Sequence, residues 1–157
     1  MDLITLNRIQ TAHPKLRAEL NQIYNEICIA LTGRAMCRFA FVLRTFAEQT
    51  ALFNKKPKVT NAKAGQSYHN YGLAVDIVLI IDGKEVSYDR LKDYDGGKMA
   101  DWLEIVSIFK KHGWEWGGDW DSLKDYPHFQ KTFGMNWRKL LDLYNSGKKD
   151  KNNYVLF

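Results

Sequence analysis

The chain has 157 residues, of which 45% are hydrophobic, 26% charged and 13% aromatic. That length and balance exclude a disordered chain and a disulfide-stapled miniprotein, and fit one domain with its own core. The longest apolar run is five residues, far short of the about 20 that a membrane-spanning helix needs. Lys and Arg number 23 against 18 Asp and Glu, a net charge of +5, which suits nucleic acid, an anionic membrane or an acidic polymer as partner.

Met1-Asp2-Leu3-Ile4-Thr5 has no basic stretch leading into an apolar core, so no secretory signal is expected. Pro14 suits the first turn of a helix that lines up Leu16, Leu20, Ile23, Ile27 and Leu31, with Gly33 as its stop. Cys37, Phe39, Phe41 and Leu43 then alternate with Arg38, Ala40, Val42 and Arg44, the period of a half-buried strand. A short helix over Ala47–Phe53 is followed by a polar stretch, Asn54–Gln66, that reads as a mobile loop. Leu73–Ile81 is a second strand, and the Asp82-Gly83 turn pairs it with Glu85–Ser87. Met99, Trp102, Val106 and Phe109 mark one face of a helix from about Lys98 to His112. Trp114–Gln130 is aromatic, Gly-rich and acidic, and closes in a short strand at His128 and Phe129. A last helix, Asn136–Tyr144, turns Trp137, Leu140, Leu141 and Tyr144 inward. Strands and helices do not alternate regularly, so the expected class is α+β with a small antiparallel sheet and flanking helices. The core is expected over about 14–146, with 147–157 as a basic tail. Cys28 and Cys37 lie in apolar surroundings and read as free thiols.

The charges are unevenly placed. Lys55, Lys56, Lys58 and Lys63 crowd one loop, and Lys148, Lys149 and Lys151 the C-terminal stretch. Glu115, Asp119, Asp121 and Asp125 gather among the aromatics instead. A nucleic-acid groove needs cations beside its aromatics, so nucleic acid is not the expected partner.

Four histidines are candidates for chemistry. His13 beside Pro14 and His112 at a helix end read as structural. His69 lies just before the second strand, and Asp76 is the one acid in the otherwise apolar run Leu73–Ile81. Burying a carboxylate there is costly unless it is hydrogen-bonded, paired or bound to metal. Gly72 lets the chain turn sharply into that strand, so His69 and Asp76 either meet at a cation or bond to each other. His128 would add a third neutral ligand, leaving a fourth tetrahedral position open, as in catalytic zinc sites. Asp125 stands three residues earlier, with Pro127 restricting the backbone between them. It is either a general base or a loop acid.

Ser-x-His-x-x-Gly-x-Ala-x-Asp, here Ser67 to Asp76, followed far downstream by acid-x-x-His, here Asp125 to His128, resembles the zinc D,D-/L,D-peptidase family. That family contains D-alanyl-D-alanine dipeptidases and carboxypeptidases, and phage endolysins that are L-alanyl-D-glutamate peptidases. Arg44-Thr45-Phe46-Ala47-Glu48-Gln49 is similar to the family's Arg-Ser/Thr…Gln segment. Gly113-Trp114-Glu115-Trp116-Gly117-Gly118-Asp119-Trp120 with Asp125-Tyr126-Pro127-His128-Phe129-Gln130 is similar to the endolysin branch. The resemblance runs from about Pro14 to Gln130.

It implies a Hedgehog/D,D-peptidase-like fold, residues 1–157 being one catalytic domain with no separate wall-binding domain. His69, Asp76 and His128 would be the ligands of one Zn²⁺, Asp125 the general base, and Arg44 the group that stabilises the oxyanion. Ser67 would touch substrate or hold the His69 loop, and Trp116 would line the cleft or anchor the packing. The implied activity is hydrolysis of the L-alanyl-D-glutamate bond of peptidoglycan stem peptides. The alternatives are D-alanyl-D-alanine hydrolysis and a non-catalytic zinc module. Such an enzyme, a monomer made in the cytoplasm without a signal peptide, would reach the wall with the help of a holin. Asp93 to Asp101 is Asp- and Gly-rich, but is read as lacking the ligand series and terminal Glu of an EF-hand. The expectation there is a helix-leading turn, with Ca²⁺ as the alternative.

Overall fold

The computed structural model describes all of residues 1–157. Five helices surround a five-stranded antiparallel sheet: α1 Leu3–Ile9, α2 Arg17–Ala30, β1 Ala35–Phe41, α3 Phe46–Phe53, β2 Ala74–Ile81, β3 Glu85–Ser87, α4 Asp101–Lys111, β4 Glu115–Trp116, β5 His128–Gln130 and α5 Trp137–Asn145. The sheet runs β1-β2-β5-β4, and β3 pairs with the far end of β2. The α+β class with a small antiparallel sheet is what the structure has. β2 is central: β1 lies along one side, while β5 takes residues 74–76 and β3 residues 79–81 of the other. This explains its nearly unbroken apolar run, since Ile77–Ile81 are buried on both faces.

The core gathers Leu20, Ile23, Tyr24 and Ile27 of α2, Trp102, Ile105, Val106 and Phe109 of α4, and the inward side chains of β1, β2 and β5. Phe109 stacks on Phe129, ring centroids 4.1 Å apart. Cys28 and Cys37 are free thiols.

The alternation expected along β1 breaks at its end. A bulge between Phe39 and Phe41 shifts the register against β2. Phe41 is therefore 56% exposed and Val42 is buried, the reverse of the expected order. Gly33 does not stop α2, which ends at Ala30 with Leu31 as its cap. It is needed for close approach instead, because a Cβ there would lie 2.5 Å from the Tyr94 carbonyl oxygen. Met99 falls outside α4 and is exposed. In α5 the buried leucines are Leu140 and Leu143 rather than Leu140 and Leu141.

Both ends of the chain belong to the core, which corrects the bounds 14–146. Ile9 and Val155 are fully buried. Residues 147–157 fold back rather than trail as a tail: Lys149 bridges to Val155, and the Val155 carbonyl lies 2.8 Å from His13 Nε2. His13 Nδ1 accepts from the Lys15 amide, and His112 Nε2 lies 2.9 Å from Glu26 Oε2. Both have the structural parts expected of them.

Asp2 ties α1 to the sheet. Its carboxylate accepts from Thr5 Oγ1 at 2.7 Å and from Arg38 Nε and Nη2 at 2.9 and 3.0 Å. Thr5 Oγ1 in turn accepts from the Phe39 amide. Burial raises the Asp2 carboxyl, but Arg38 and Thr5 outweigh it and hold the group below its ordinary value. Asp2→Ala should lower stability by about 2 kcal/mol, or roughly 4–8 °C in Tm. A lowered carboxyl stabilises the fold above the unfolded pKa of about 3.9 and less as pH falls below it. Melting curves of both proteins from neutral pH downward should therefore converge in acid.

Candidate active site

Backbone pairing brings two of the candidate ligands together. Asp76 of β2 and His128 of β5 are direct cross-strand partners, so their side chains rise from one face of the sheet. A one-residue slip would turn both away. Asp76 also pairs with Phe41 of β1 at the bulge.

His69 comes from the 3-10 turn Tyr68–Tyr71, capped by Ser67. The His69 amide donates to Ser67 Oγ, and Asn70 Oδ1 accepts from the Ser67 and Gly65 amides. Gly72 closes the turn with φ 69°, and a Cβ there would lie 2.4 Å from the His13 nitrogen. The sharp entry into β2 thus depends on glycine. Val42, turned by the bulge, offers its carbonyl to His69 Nδ1 at 2.8 Å. That bond puts the proton on Nδ1 and leaves Nε2 as a lone pair, 3.1 Å from Asp76 Oδ1. Nε2 is buried and makes no hydrogen bond, because it meets Asp76 at close distance but outside bonding geometry.

His128 is fixed in a similar way. Glu115 Oε2 accepts from Gln130 Nε2 at 2.9 Å, so Gln130 Oε1 faces His128 Nε2 at 2.8 Å and accepts its proton. The remaining nitrogen, Nδ1, lies 3.0 Å from Asp76 Oδ1. Two imidazoles therefore each spend one nitrogen on an outer acceptor and point the other at the same carboxylate. Metal-ligating histidines are held in the same way, the far ring nitrogen tied to an acceptor that fixes tautomer and orientation. Ligand atoms of His69, Asp76 and His128 all lie within 4.8 Å of one another, close enough to hold one metal ion. An orphaned, buried Nε2 in a set of two nitrogens and one carboxylate fits a zinc-type cation.

Burial pushes the Asp76 carboxyl up, but the His128 bond and the nearby His69 ring outweigh it and hold it well below the usual carboxylate range. Burial also lowers His128, and the Asp76 carboxylate more than reverses this, so the imidazole stays protonated to higher pH than usual. Asp125 is raised, mainly by burial, with the Asp76 charge adding to it against His128, His69 and Arg44.

Arg44, Ser67, His69, Asp76, Asp125 and His128 line one cleft of about 380 Å³. Six of the seven expected site residues also lie in one stretch of chain order, Ser67 to His128, and only Arg44 precedes it. Arg44 is set by its amide, which donates to the His69 carbonyl, and by Nη1 donating to Gln49 Oε1. Gln49 is fully buried and also donates to the Ala62 carbonyl. The 54–66 loop is thereby tied to the cleft, and its Val59 and Thr60 form part of the wall.

Trp116 is the one site candidate outside the cleft. Its Nε1 donates to the Tyr126 carbonyl at 2.7 Å, and its ring covers Gly118 so closely that a Cβ there would lie 2.3 Å away. Gly117 accepts from the Asp125 amide and passes so near that a Cβ would meet the Asp125 carbonyl oxygen at 2.2 Å. The Trp-Gly-Gly segment is thus a clasp on the loop carrying Asp125. Trp120 is nearer the site, its ring centroid 5.4 Å from that of His128.

Comparison with known proteins agrees with this geometry. Residues 60–131 match the family of D-alanyl-D-alanine carboxypeptidases, and this segment holds His69, Asp76, Asp125 and His128. In sequence and fold the chain is similar to peptidases of the D,D-/L,D- type. It is 46% identical over 94 residues to the peptidoglycan L-alanyl-D-glutamate endopeptidase CwlK of Bacillus subtilis, covering 55% of each chain. It is 35% identical over 91 residues to the L-alanyl-D-glutamate peptidase of Listeria phage A118, covering 58% of this chain and 28% of that one. The chain thus spans about half the length of the first relative and about a quarter of the second. Among solved structures, the L-Ala D-Glu endopeptidase ChiX of Serratia marcescens superposes with a TM-score of 0.57 at 26% identity, over 83% of this chain and 87% of that one.

Sequence reasoning did not single out Gln130, Glu115, Gln49 or the Val42 carbonyl. Two of them carried a signal: Gln49 ends the Arg44–Gln49 segment, and Gln130 stands two residues after His128 and so on the same strand face.

Proposed function

We propose that the chain is a zinc endopeptidase that hydrolyses the L-alanyl-D-glutamate bond of peptidoglycan stem peptides. The observation that carries this reading is the convergence of His69 Nε2 and His128 Nδ1 on Asp76 in a cleft that also holds Asp125 and Arg44. The names of the relatives in Bacillus, Listeria phage and Serratia point to the bond.

His69, Asp76 and His128 would hold the ion. Zinc bound there supplies Lewis acidity toward the scissile carbonyl and lowers the pKa of a water to about 7. Asp125 takes the proton of the attacking water and returns it to the leaving amine, so no covalent intermediate with the protein is needed. Arg44 donates to the carbonyl oxygen as negative charge grows on it. Ser67 works by holding the His69 turn. The lysines of the 54–66 loop and Arg44 favour an anionic stem peptide, whose D-glutamate carries a carboxylate beside the bond to be cut.

Phage-type lysis fits this reading, with cytoplasmic synthesis, monomeric action and holin-dependent delivery to the wall. No helix of the chain is long and apolar enough to cross a membrane. D-alanyl-D-alanine hydrolysis is the second reading, favoured by the family matched over residues 60–131. Mass spectrometry of muropeptides digested by the purified protein separates the two. A new N-terminal D-glutamate is expected, abolished by chelator and restored by Zn²⁺. Released D-alanine would transfer the activity to the second reading, and intact muropeptides beside one bound zinc would make the chain a non-catalytic zinc module.

A further inference from the structure

The loop between β3 and α4 carries a second cluster of carboxylates, none of which lines the cleft. Oxygen atoms of Asp93, Asp95 and Asp101 lie within 4.8 Å of one another. Asp101 is 0% exposed; its Oδ1 accepts from the Tyr94 amide, while its Oδ2 has no partner. Glu104, one turn further along α4, also has a buried oxygen, Oε2, without a partner. Its other oxygen faces the same place, since both Asp95 Oδ1 and Glu104 Oε1 lie within 4 Å of a Cβ built on Gly97. None of the four is ion-paired with a lysine, arginine or histidine. Asp93 and Asp95 also accept from loop amides and from Thr32, but the buried, unpaired oxygens of Asp101 and Glu104 beside them are unfavourable without a cation.

We propose that Asp93, Asp95, Asp101 and Glu104 form a calcium site. Counted from Asp93, the four residues stand at positions 1, 3, 9 and 12 of a twelve-residue loop, with glutamate last. These are carboxylate positions of an EF-hand calcium loop, and position 7, here Met99, is the one that offers a backbone carbonyl there. The terminal glutamate that Asp93–Asp101 was read as lacking is Glu104, placed three residues beyond the segment on the helix that follows. Position 6, where such loops use glycine, is Lys98 with φ 76°. An all-oxygen set with no nitrogen or sulfur selects Ca²⁺ over zinc, and four carboxylates, where Mg²⁺ usually takes one or two, select it over Mg²⁺. No helix enters the loop. Asp95 Oδ2 instead accepts from the amide and hydroxyl of Thr32 after α2, and the Tyr94 hydroxyl lies 3.2 Å from Ser87 Oγ of β3. Bound calcium would therefore join α2, β3 and the start of α4, the helix that carries Trp102 and Phe109 into the core.

The test uses the full chain in calcium-free buffer with zinc present throughout, so that the cleft is outside the readout. CaCl₂ should raise Tm, by about 5–10 °C at a hundred times Kd. Tb³⁺, added as a probe, should show luminescence sensitised by Trp102 or Tyr94 and displaced by Ca²⁺. Glu104→Gln should abolish the response to CaCl₂ while leaving the calcium-free Tm equal or higher, because one of four crowded charges is gone. Asp93→Asn provides the same comparison at the opposite end of the loop. The proposal is overturned if Ca²⁺ shifts nothing and displaces no Tb³⁺, if both variants keep the shift, or if MgCl₂ at equal concentration matches CaCl₂.

Discussion

Asp76→Asn should strip the protein of zinc and with it of peptidoglycan hydrolysis, while leaving the sheet intact. Asp76 is the only carboxylate among the three side chains that converge, and both imidazoles aim their free nitrogen at its Oδ1. Removing its charge leaves two neutral nitrogens, which hold a divalent cation poorly. Even outer-shell partners of such ligands are worth 10- to 100-fold in affinity, so a loss of at least about 100-fold is expected here. The backbone of Asp76 still pairs with Phe41 and His128, and asparagine keeps an oxygen in the same place, so circular dichroism should be unchanged. Zinc content measured after dialysis is the direct readout; full stoichiometry in the variant would remove Asp76 from the ligand set. The same geometry sets a pH dependence. Asp76 keeps His128 protonated above the ordinary histidine value, and a protonated Nδ1 cannot bind metal. As pH falls, protons compete first at this nitrogen, so zinc affinity in the wild type should already be declining above about pH 6.5.

How much of this was legible in the amino-acid sequence depends on what each residue had to contrast with. Asp76 stood out because a carboxylate in Leu73–Ile81 contradicts its surroundings, and the cost of burying it calls for a partner. The acid-x-x-His of Asp125 and His128 was visible because it lies in one short segment. α1 was not visible because its pattern is inverted. Leu3 is 73% exposed, while the polar Asp2 and Thr5 point inward and are satisfied by Arg38 and the Phe39 amide. The β1 bulge left no mark on the apolar alternation, since Phe41 and Val42 are both apolar and either could face the core. Yet that bulge delivers the carbonyl that sets the His69 tautomer. Val155 lies in a four-residue apolar run, Tyr154–Phe157, after a basic stretch, too short to distinguish a docked strand from a tail. Glu104 reads locally as a first-turn acid of α4, and only its distance from Asp93 gives it a further meaning.

Asp125→Asn should retain zinc and lose turnover. Asp125 lines the cleft with the three converging side chains but is not among the atoms that can share one ion. Its loop is clasped by Gly117, whose carbonyl accepts the Asp125 amide, and by Trp116 on the Tyr126 carbonyl. The His128 amide donates to the Asp125 carbonyl, so the two residues move as one unit. Asparagine fits the same space and cannot take a proton, so kcat should fall by about 10²–10⁴-fold, the usual contribution of a positioned base. KM and zinc content should change little. The acid side of the rate profile carries the same assignment. A base works only when ionised, so the wild-type rate rises with pH as Asp125 loses its proton. Burial moves that rise above the ordinary aspartate value. Asp125→Glu should keep the limb at reduced rate, because it restores the carboxylate at a slightly wrong distance, and Asp125→Asn should flatten it. A variant that loses zinc together with turnover would instead make Asp125 part of the metal centre.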